Sequence, residues 1–224
     1  MKILGIDTTT KFLCLGLYVD GKFYEYNLQV GRRLSELLVP TIRRLVCAAG
    51  LSIAEIDYFA CGLGPGSFTG MRIGLATIKG LAVVKDKPVI GISTLDILAK
   101  NAENKDRLIL VALDAKRDLI YCGAYKYRNG VLRRQGDYAL LSLAELLKRY
   151  PDGPVILGDA VALYKDALLS KIKGAVVLDK DYWNVRAFNL ISLALAKVEA
   201  KQFSSVVRIK PIYLYPKECQ IKKR

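Results

Sequence analysis

The stretch that decides the fold reads Gly62-Leu63-Gly64-Pro65-Gly66-Ser67-Phe68-Thr69-Gly70-Met71-Arg72-Ile73-Gly74-Leu75. It joins an apolar run that predicts a strand at 58–62 to a nearly uncharged run that predicts a helix from Thr69 to Val84. Glycines on both sides of the proline suit a sharp turn that places a positive φ angle beside a fixed one, and the hydroxyls that follow can cap the helix. We therefore predict a structural turn formed by Gly64, Pro65, Gly66, Ser67, Thr69 and Gly70.

Phosphate binding is the main alternative for such a turn. Amides at the start of a helix can hold an anion at the positive end of the helix dipole. A P-loop is excluded, because Gly64 and Gly70 do not have its spacing and no lysine follows them. We expect the turn to position a helix and not a nucleotide.

The chain around this turn contains an internal duplication. When Asp7 is aligned with Asp114, Gly16 aligns with Gly123, which gives a repeat of about 107 residues. Each copy begins with an apolar strand that ends in Asp, continues through a hairpin, and then alternates helices with strands. This order predicts an α/β fold with two subdomains, at residues 1–106 and 107–224.

The hydrophobic pattern and the turn signals predict the individual elements. Predicted strands are 2–7, 12–19, a third strand through Asn27, 58–62, a short strand after Pro88, 108–114, 119–127, 131–138, 155–157 and 175–178. Predicted helices are 34–49, 69–84, 94–103, 143–149, 163–170 and 184–200. Residues 207–215 are predicted to form an edge strand, with Pro211 limiting its pairing.

The chain is strongly basic. Its 224 residues carry a formal net charge of +14, which favours an acidic partner such as nucleic acid. The charge is dispersed in short clusters, for example Arg32-Arg33, Arg43-Arg44 and Arg133-Arg134. A solvated basic surface is therefore an equally good interpretation.

Cysteine and histidine content restricts the chemistry. Five cysteines without close pairs indicate a reducing compartment, and no run of 18 apolar residues lacks charge, so we expect a cytoplasmic protein without a membrane segment. The sequence contains no histidine, which excludes Ser-His and Cys-His nucleophiles and any histidine metal ligand. We expect no catalytic residue and no metal site in this chain.

The duplicated unit resembles the actin, Hsp70 and sugar-kinase superfamily (ASKHA, RNase H-like), whose two subdomains have mixed sheets flanked by helices. In that fold, glycine-rich loops after the first strand of each half hold nucleotide phosphates. Here the corresponding loops follow Asp7 and Asp114 and lack glycine. We expect degenerate phosphate loops, marked by Asp7, Thr8, Thr9 and Asp114, in which each Asp either caps a turn or keeps part of a phosphate site.

A closer resemblance rests on four motifs: Ile3–Thr8, Gly64–Gly74, Leu113–Arg117 and Pro211–Leu214. Together they are similar to the bacterial TsaB (YeaZ) family over nearly the whole chain. The resemblance implies a non-catalytic scaffold and activator in the formation of N6-threonylcarbamoyladenosine (t6A) at adenosine 37 of ANN-decoding tRNAs. It also implies a heterodimer with the metal-containing transferase paralogue TsaD, a TsaE-like ATPase bound to that pair, tRNA contact through the complex, and ATP used elsewhere in the complex with none held tightly by this chain. Protease activity is not supported.

Two helices carry more apolar surface than one core contact needs. They are the predicted helices 34–49 and 69–84, which we expect to form the partner surface and, in the isolated chain, a homodimer; burial within the chain's own fold is the alternative. Charged substitutions at Ile42 and Ile73 are expected to abolish partner binding while the chain stays folded. The predicted interface residues are Leu38, Ile42, Leu45, Val46, Ala49, Ile73, Ala76, Thr77, Gly80, Leu81 and Val84.

Two other functions remain open. An ATP-dependent kinase or ATPase of the same superfamily would use Asp7, Thr8, Thr9 and Asp114 near a phosphate cleft, and would bind Mg-ATP tightly. A stand-alone RNA-binding protein would bind tRNA without partners and with a steep salt dependence.

Overall fold

The computed structural model describes residues 1–102 and 106–216, without the side chain of Arg32. Its contacts divide the chain into two compact units. The first comprises Met1–Ile97 and Val185–Ile212, and the second comprises Leu98–Asn184 with the chain from Tyr213 onward.

A five-stranded mixed sheet forms the centre of the first unit. The strand order is β3-β2-β1-β4-β5. The β1–β2 and β2–β3 pairs are antiparallel, whereas β4 and β5 run parallel to β1. The near-continuous apolar sequence of β1 fits a central strand that is buried on both faces. The strands are β1 (Lys2–Asp7), β2 (Phe12–Val19), β3 (Lys22–Gln29), β4 (Tyr58–Gly62) and β5 (Val89–Ile92).

Two long helices pack on one face of this sheet. They are α1 (Leu34–Ala48) and α2 (Phe68–Val83), and the short helix α3 (Thr94–Ala99) follows β5. The core contains Leu38 and Ile42 of α1, Ile78 of α2 and the inward residues Leu4 and Ile6 of β1. Burial of these apolar side chains determines which side of each helix faces the sheet.

The second unit repeats the topology of the first. Its sheet has the order β11-β10-β6-β7-β8, and β9 also pairs with β7. Again three antiparallel strands are followed by two strands parallel to the first one. The strands are β6 (Ile109–Lys116), β7 (Leu119–Arg128), β8 (Val131–Arg134), β9 (Ala139–Ser142), β10 (Val155–Leu157) and β11 (Val176–Val177).

Three helices complete the described chain: α4 (Leu143–Arg149), α5 (Val161–Lys171) and α6 (Ala187–Glu199). The first two pack on the second sheet, but α6 packs on the first sheet, on the face opposite α1 and α2. Gly5 and Gly16 are directly opposite each other in the β1–β2 register. A Cβ atom on either would lie within 3 Å of the Ile191 side chain, so the paired glycines let α6 approach the sheet.

The predicted fold class is confirmed. Both units are mixed sheets flanked by helices, and the equal strand orders show the duplication directly. The hairpin turns also match, with positive φ at Asp20 and Gly21 in the first unit and at Asn129 and Gly130 in the second. The division into subdomains differs from residues 1–106 and 107–224, because α6 adds to the first sheet a segment that is far away in the sequence.

Three predicted elements are corrected by the structure. The predicted strand 131–138 ends at Arg134 as β8, and β9 (Ala139–Ser142) is a separate strand that was not predicted. Gly136, with φ +80°, lies between the two strands. Residues 207–215 form no strand; Ile209 is buried, and the Ile212 N–H donates to Leu63 O at 2.8 Å, while Pro211 has no N–H to donate. The predicted helix 94–103 ends at Ala99, and its last predicted residue lies outside the described residues.

Within the described ranges, no helix combines the length and hydropathy that a membrane span requires.

Candidate functional site

The loop after β1 is closed by its own residues. Asp7 is only 1% exposed, and its Oδ1 accepts hydrogen bonds from Thr9 N at 2.9 Å and Thr9 Oγ1 at 2.8 Å. The Thr94 hydroxyl lies 2.7 Å from Thr9 Oγ1 and 3.4 Å from Asp7 Oδ2. Burial raises the pKa of the Asp7 carboxyl, while the hydrogen bonds from Thr9 and Thr94 oppose that rise. Asp7 therefore caps its own turn.

The glycine-rich stretch covers this loop. The Ser67 N–H donates to Thr9 O at 2.7 Å, and the Thr8 hydroxyl donates to Gly70 O at 2.7 Å. A Cβ atom at Gly66 would lie 2.3 Å from Thr9 O, and one at Gly70 would lie 2.0 Å from Thr8 O. The glycines are needed because their backbone contacts the threonine loop directly, and that contact occupies the space beside the loop.

The predicted turn is present at this position. Gly64 has φ +91°, and Ser67 caps α2 by accepting a hydrogen bond from Gly70 N at 3.2 Å. The peptide bond between Gly64 and Pro65 is cis. Gly66 has no positive φ, so its role differs from the predicted one: it provides close contact with Thr9 and not an unusual backbone conformation.

Two buried thiols lie near Asp7. Cys14 is opposite Asp7 in the β1–β2 register, and its thiol donates to Val185 O at 3.4 Å. Burial raises the pKa of both Cys14 and Cys61, and the negative charge of Asp7 raises each further. These thiols stay protonated and act as small apolar groups.

The equivalent loop in the second unit is closed in a similar way. Asp114 Oδ1 accepts from Lys116 N at 2.8 Å, and Asp114 N donates to Asp159 Oδ1 at 2.8 Å. Lys116 Nζ forms an ion pair with Asp114, and this hydrogen bond raises the pKa of the lysine. Lys116, Arg117 and Asp118 all have positive φ, a tight turn that nothing in their sequence indicated. Each aspartate thus accepts a backbone hydrogen bond within its own turn.

Four of the predicted interface residues are corrected. Leu38, Ile42, Leu45 and Val46 are between 1% and 9% exposed, and they belong to the core of the first unit. They face the sheet, and therefore cannot form a surface for a partner. For the same reason, a charge at Ile42 would disrupt the fold itself, contrary to the expectation that the chain would stay folded.

The other predicted interface residues are at least partly accessible. Ala76, Gly80 and Val84 are exposed, while Ala49, Ile73, Thr77 and Leu81 are half-buried. Three exposed apolar residues were missed: Val39 on α1 and Phe68 and Val83 on α2. On α1, Arg43 could have identified Val39 as exposed, because residues four positions apart lie on the same side of a helix and a charged residue marks the side that faces solvent.

The outer face of α1 forms a shallow depression. Its volume is about 490 Å³, and it is lined by Val39, Pro40, Arg43, Arg44 and Cys47. The cysteine there is exposed, in contrast to Cys14, Cys61 and Cys122. Among the described residues, no group of three or more Cys, Asp and Glu side chains is arranged to hold a metal ion.

The chain is similar in sequence to proteins named TsaD and TsaB. Residues 28–204 match the family model described as TsaD, tRNA N6-adenosine threonylcarbamoyltransferase. The tRNA threonylcarbamoyladenosine biosynthesis protein TsaB of Escherichia coli is 29% identical over 96% of this chain and 94% of its own length. TsaB of Bacillus subtilis is 33% identical over 75% of each chain.

Solved structures agree with these relatives. YeaZ from Pseudomonas aeruginosa superposes with a TM-score of 0.82 at 28% identity, covering 95% of this chain and 99% of its own. A second Pseudomonas aeruginosa structure, described as an uncharacterized protein with similarity to peptidase YeaZ, gives 0.83 at 26% identity, covering 96% and 99%. This chain belongs to the TsaB family.

Proposed function

We propose that this chain is a non-catalytic subunit of the complex that forms t6A at adenosine 37 of ANN-decoding tRNAs. Two relatives bear the name tRNA threonylcarbamoyladenosine biosynthesis protein TsaB, which supports the pathway. The chain holds and activates a metal-containing, TsaD-like paralogue, and a TsaE-like ATPase and the tRNA join through that complex. A tRNA substrate and the buried thiols fit a cytoplasmic location.

One observation carries the non-catalytic role: the loop that would hold phosphate is filled. Gly66 and Gly70 lie against the backbone of Thr8 and Thr9 so closely that not even a methyl group fits between them. The Asp7 carboxylate is satisfied by Thr9 and Thr94. A kinase or ATPase of this superfamily needs phosphate at that position, and this chain therefore binds no nucleotide tightly by itself.

A peptidase activity also lacks support. The sequence has no histidine, so it lacks the usual base of a serine or cysteine nucleophile. Burial raises the pKa of Cys14, Cys61 and Cys122, which makes those thiols poor nucleophiles.

The partner is held by the outer band, which we define as the exposed residues Ala76, Gly80 and Val83 of α2, Val84 directly after that helix, and Val39 of α1. Val83 and Val84 are 62% and 75% exposed, an unusual position for paired valines on a surface helix. Ala76 and Gly80 are four residues apart, so they lie on one face of α2 and allow another helix to approach closely. The same band would form the homodimer of the isolated chain.

Reconstitution with the TsaD-like paralogue tests this proposal. Ala76→Arg adds a long charged side chain to the outer band, while the matched control Ala162→Arg makes the same change at an exposed position of α5. We expect the first variant to stay folded, to lose co-purification with the paralogue and to lose t6A formation, whereas the control keeps both. An Ala76→Arg variant that still binds the paralogue would refute the proposed interface.

A further inference from the structure

The β7–β8 hairpin of the second unit carries four positive side chains, and three of them have no carboxylate partner among the described residues. Residues 119–136 contain Lys126, Arg128, Arg133 and Arg134 and no Asp or Glu. Arg134 pairs with Asp137 at 3.9 Å and stacks on Tyr138. The other three side chains are exposed, and in the part of the chain that the structure describes they form no ion pair.

The strand register places two of these charges directly opposite each other. Lys126 pairs with Arg133 across the hairpin, and like charges in that position destabilise a sheet. Arg128 is two residues along β7 and therefore projects from the same face, about 6.6 Å farther along the strand. The equivalent β2–β3 hairpin mixes its charges, with Lys22 and Glu25 on β3 and glycine opposite Glu25. The fold thus does not require the unfavourable arrangement.

A fourth positive charge joins this face at the end of α4. The Arg149 guanidinium lies 3.9 Å from the place where a Cβ on Gly136 would stand, next to the end of β8. Its charge also acts on Cys122, whose pKa burial raises to about 12 and Arg149 lowers. Cys122, Lys126 and Arg128 occupy alternate positions of β7 and share one face. The nearby carboxylate of Glu145 is held by the Ser142 backbone and hydroxyl.

We propose that this basic face, defined by Lys126, Arg128, Arg133 and Arg149, binds the phosphate backbone of tRNA. Exposed lysine and arginine side chains can contact successive phosphates without reading the sequence. A bound polyanion removes the repulsion between Lys126 and Arg133, which explains why the free chain keeps a pair that costs stability. The choice of tRNA as the RNA rests on the proposed function.

Salt-dependent binding of tRNA to the full chain tests this surface. The probe is an unmodified transcript of an ANN-decoding tRNA, titrated by filter binding between 50 and 200 mM salt. The test variant is Lys126→Ala/Arg128→Ala/Arg133→Ala, and the control Lys165→Ala/Lys171→Ala/Lys173→Ala removes the same charge from exposed positions on and after α5. Because each lost phosphate contact reduces the slope of log K against log salt by about 0.7 to 0.9, we expect the test variant to lose about 2 to 3 units of slope and at least about tenfold in affinity.

Three results would overturn the assignment. Equal losses of tRNA affinity in the test and control variants would mean that only net charge matters. A wild-type chain without salt-dependent tRNA binding would mean that this face binds no RNA. If such a chain instead bound polyglutamate, the basic face would be assigned to an acidic protein. Co-purification of the test variant with the TsaD-like paralogue separates this inference from the proposed function. We expect that complex to persist. Unchanged tRNA binding by the test variant would refute the tRNA-binding role of the basic face, but it would not bear on the partner-binding role of the outer band.

Discussion

Gly80→Ala is expected to stabilise the isolated chain and to weaken its complex with the paralogue. Gly80 lies inside α2, it is exposed, and an added Cβ would have no atom within 4 Å. Glycine in a helix interior costs about 0.8–1.0 kcal/mol relative to alanine, because the unfolded chain loses more backbone freedom on folding. The free energy of unfolding should therefore rise by about 1 kcal/mol, and Tm by about 2–4 °C for a chain of this size.

In the complex, the same methyl group should be unfavourable. If a helix of the paralogue packs on the outer band, the methyl group overpacks that contact at a cost of about 1–3 kcal/mol, which corresponds to a rise in Kd of about 5- to 150-fold. Circular dichroism melting of the isolated chain and calorimetric titration with the paralogue measure the two effects. Opposite signs distinguish an interface residue from a residue that matters only for stability.

Gly74→Ala is the matched control on the same helix. A Cβ at Gly74 would lie 2.2 Å from Thr8 Oγ1, whose hydroxyl donates to Gly70 O. That variant should lose about 1–3 kcal/mol of stability through overpacking. The reasoning is refuted if Gly80→Ala lowers Tm, or if it leaves the affinity for the paralogue unchanged.

Three further predictions follow from the described contacts. Ile42→Glu places a charge in the core of the first unit, where Ile42 is 3% exposed, and should cost about 3–5 kcal/mol in urea unfolding; a folded variant that merely loses its partner would contradict this. Burial raises the pKa of Asp7 in the folded chain above its usual 3.8, so its stabilising contribution is complete below that pH and is lost as pH rises through the raised pKa. Asp7→Asn should remove this pH-dependent loss of stability, measured by unfolding at pH values between about 3 and 7. The variant should still support t6A formation, whereas a loss of t6A formation would indicate that Asp7 binds a nucleotide. Lys126→Glu should raise stability by about 0.2–1 kcal/mol through a cross-strand pair with Arg133 and weaken tRNA binding; a parallel fall in both would argue against the basic face.

Much of the fold was predictable because strands and turns leave local signals. The apolar β1, the Asn129-Gly130 turn and the repeated Asp at the end of the first strand were enough to indicate two similar sheets. The return of α6 to the first sheet was not predictable, since it depends on contact between Gly16 and Ile191, which are far apart in the sequence. The gap between β8 and β9 contains Gly136 with its positive φ, a backbone conformation that the hydrophobic pattern does not reveal.

The candidate surface was only half predictable. Both faces of α1 carry apolar residues, so periodicity alone could not tell which face meets the sheet; Leu38 and Ile42 face inward, while Val39 faces outward. The glycine-rich stretch was correctly predicted as a turn. The reason for its glycines appears only in three dimensions, where Gly66 and Gly70 contact the threonine loop.

The most direct test of the central claim is t6A formation in a purified system, measured by mass spectrometry of nucleosides from digested tRNA. The reaction contains ANN-decoding tRNA, threonylcarbamoyl-AMP, the TsaD-like paralogue and the TsaE-like ATPase, with or without this chain. We predict no t6A from this chain alone, abundant t6A when it is added to the paralogue, and loss of that stimulation with Ala76→Arg but not with Ala162→Arg. Formation of t6A by this chain without the paralogue, or full stimulation by Ala76→Arg, would contradict its assignment as a non-catalytic subunit held through α2.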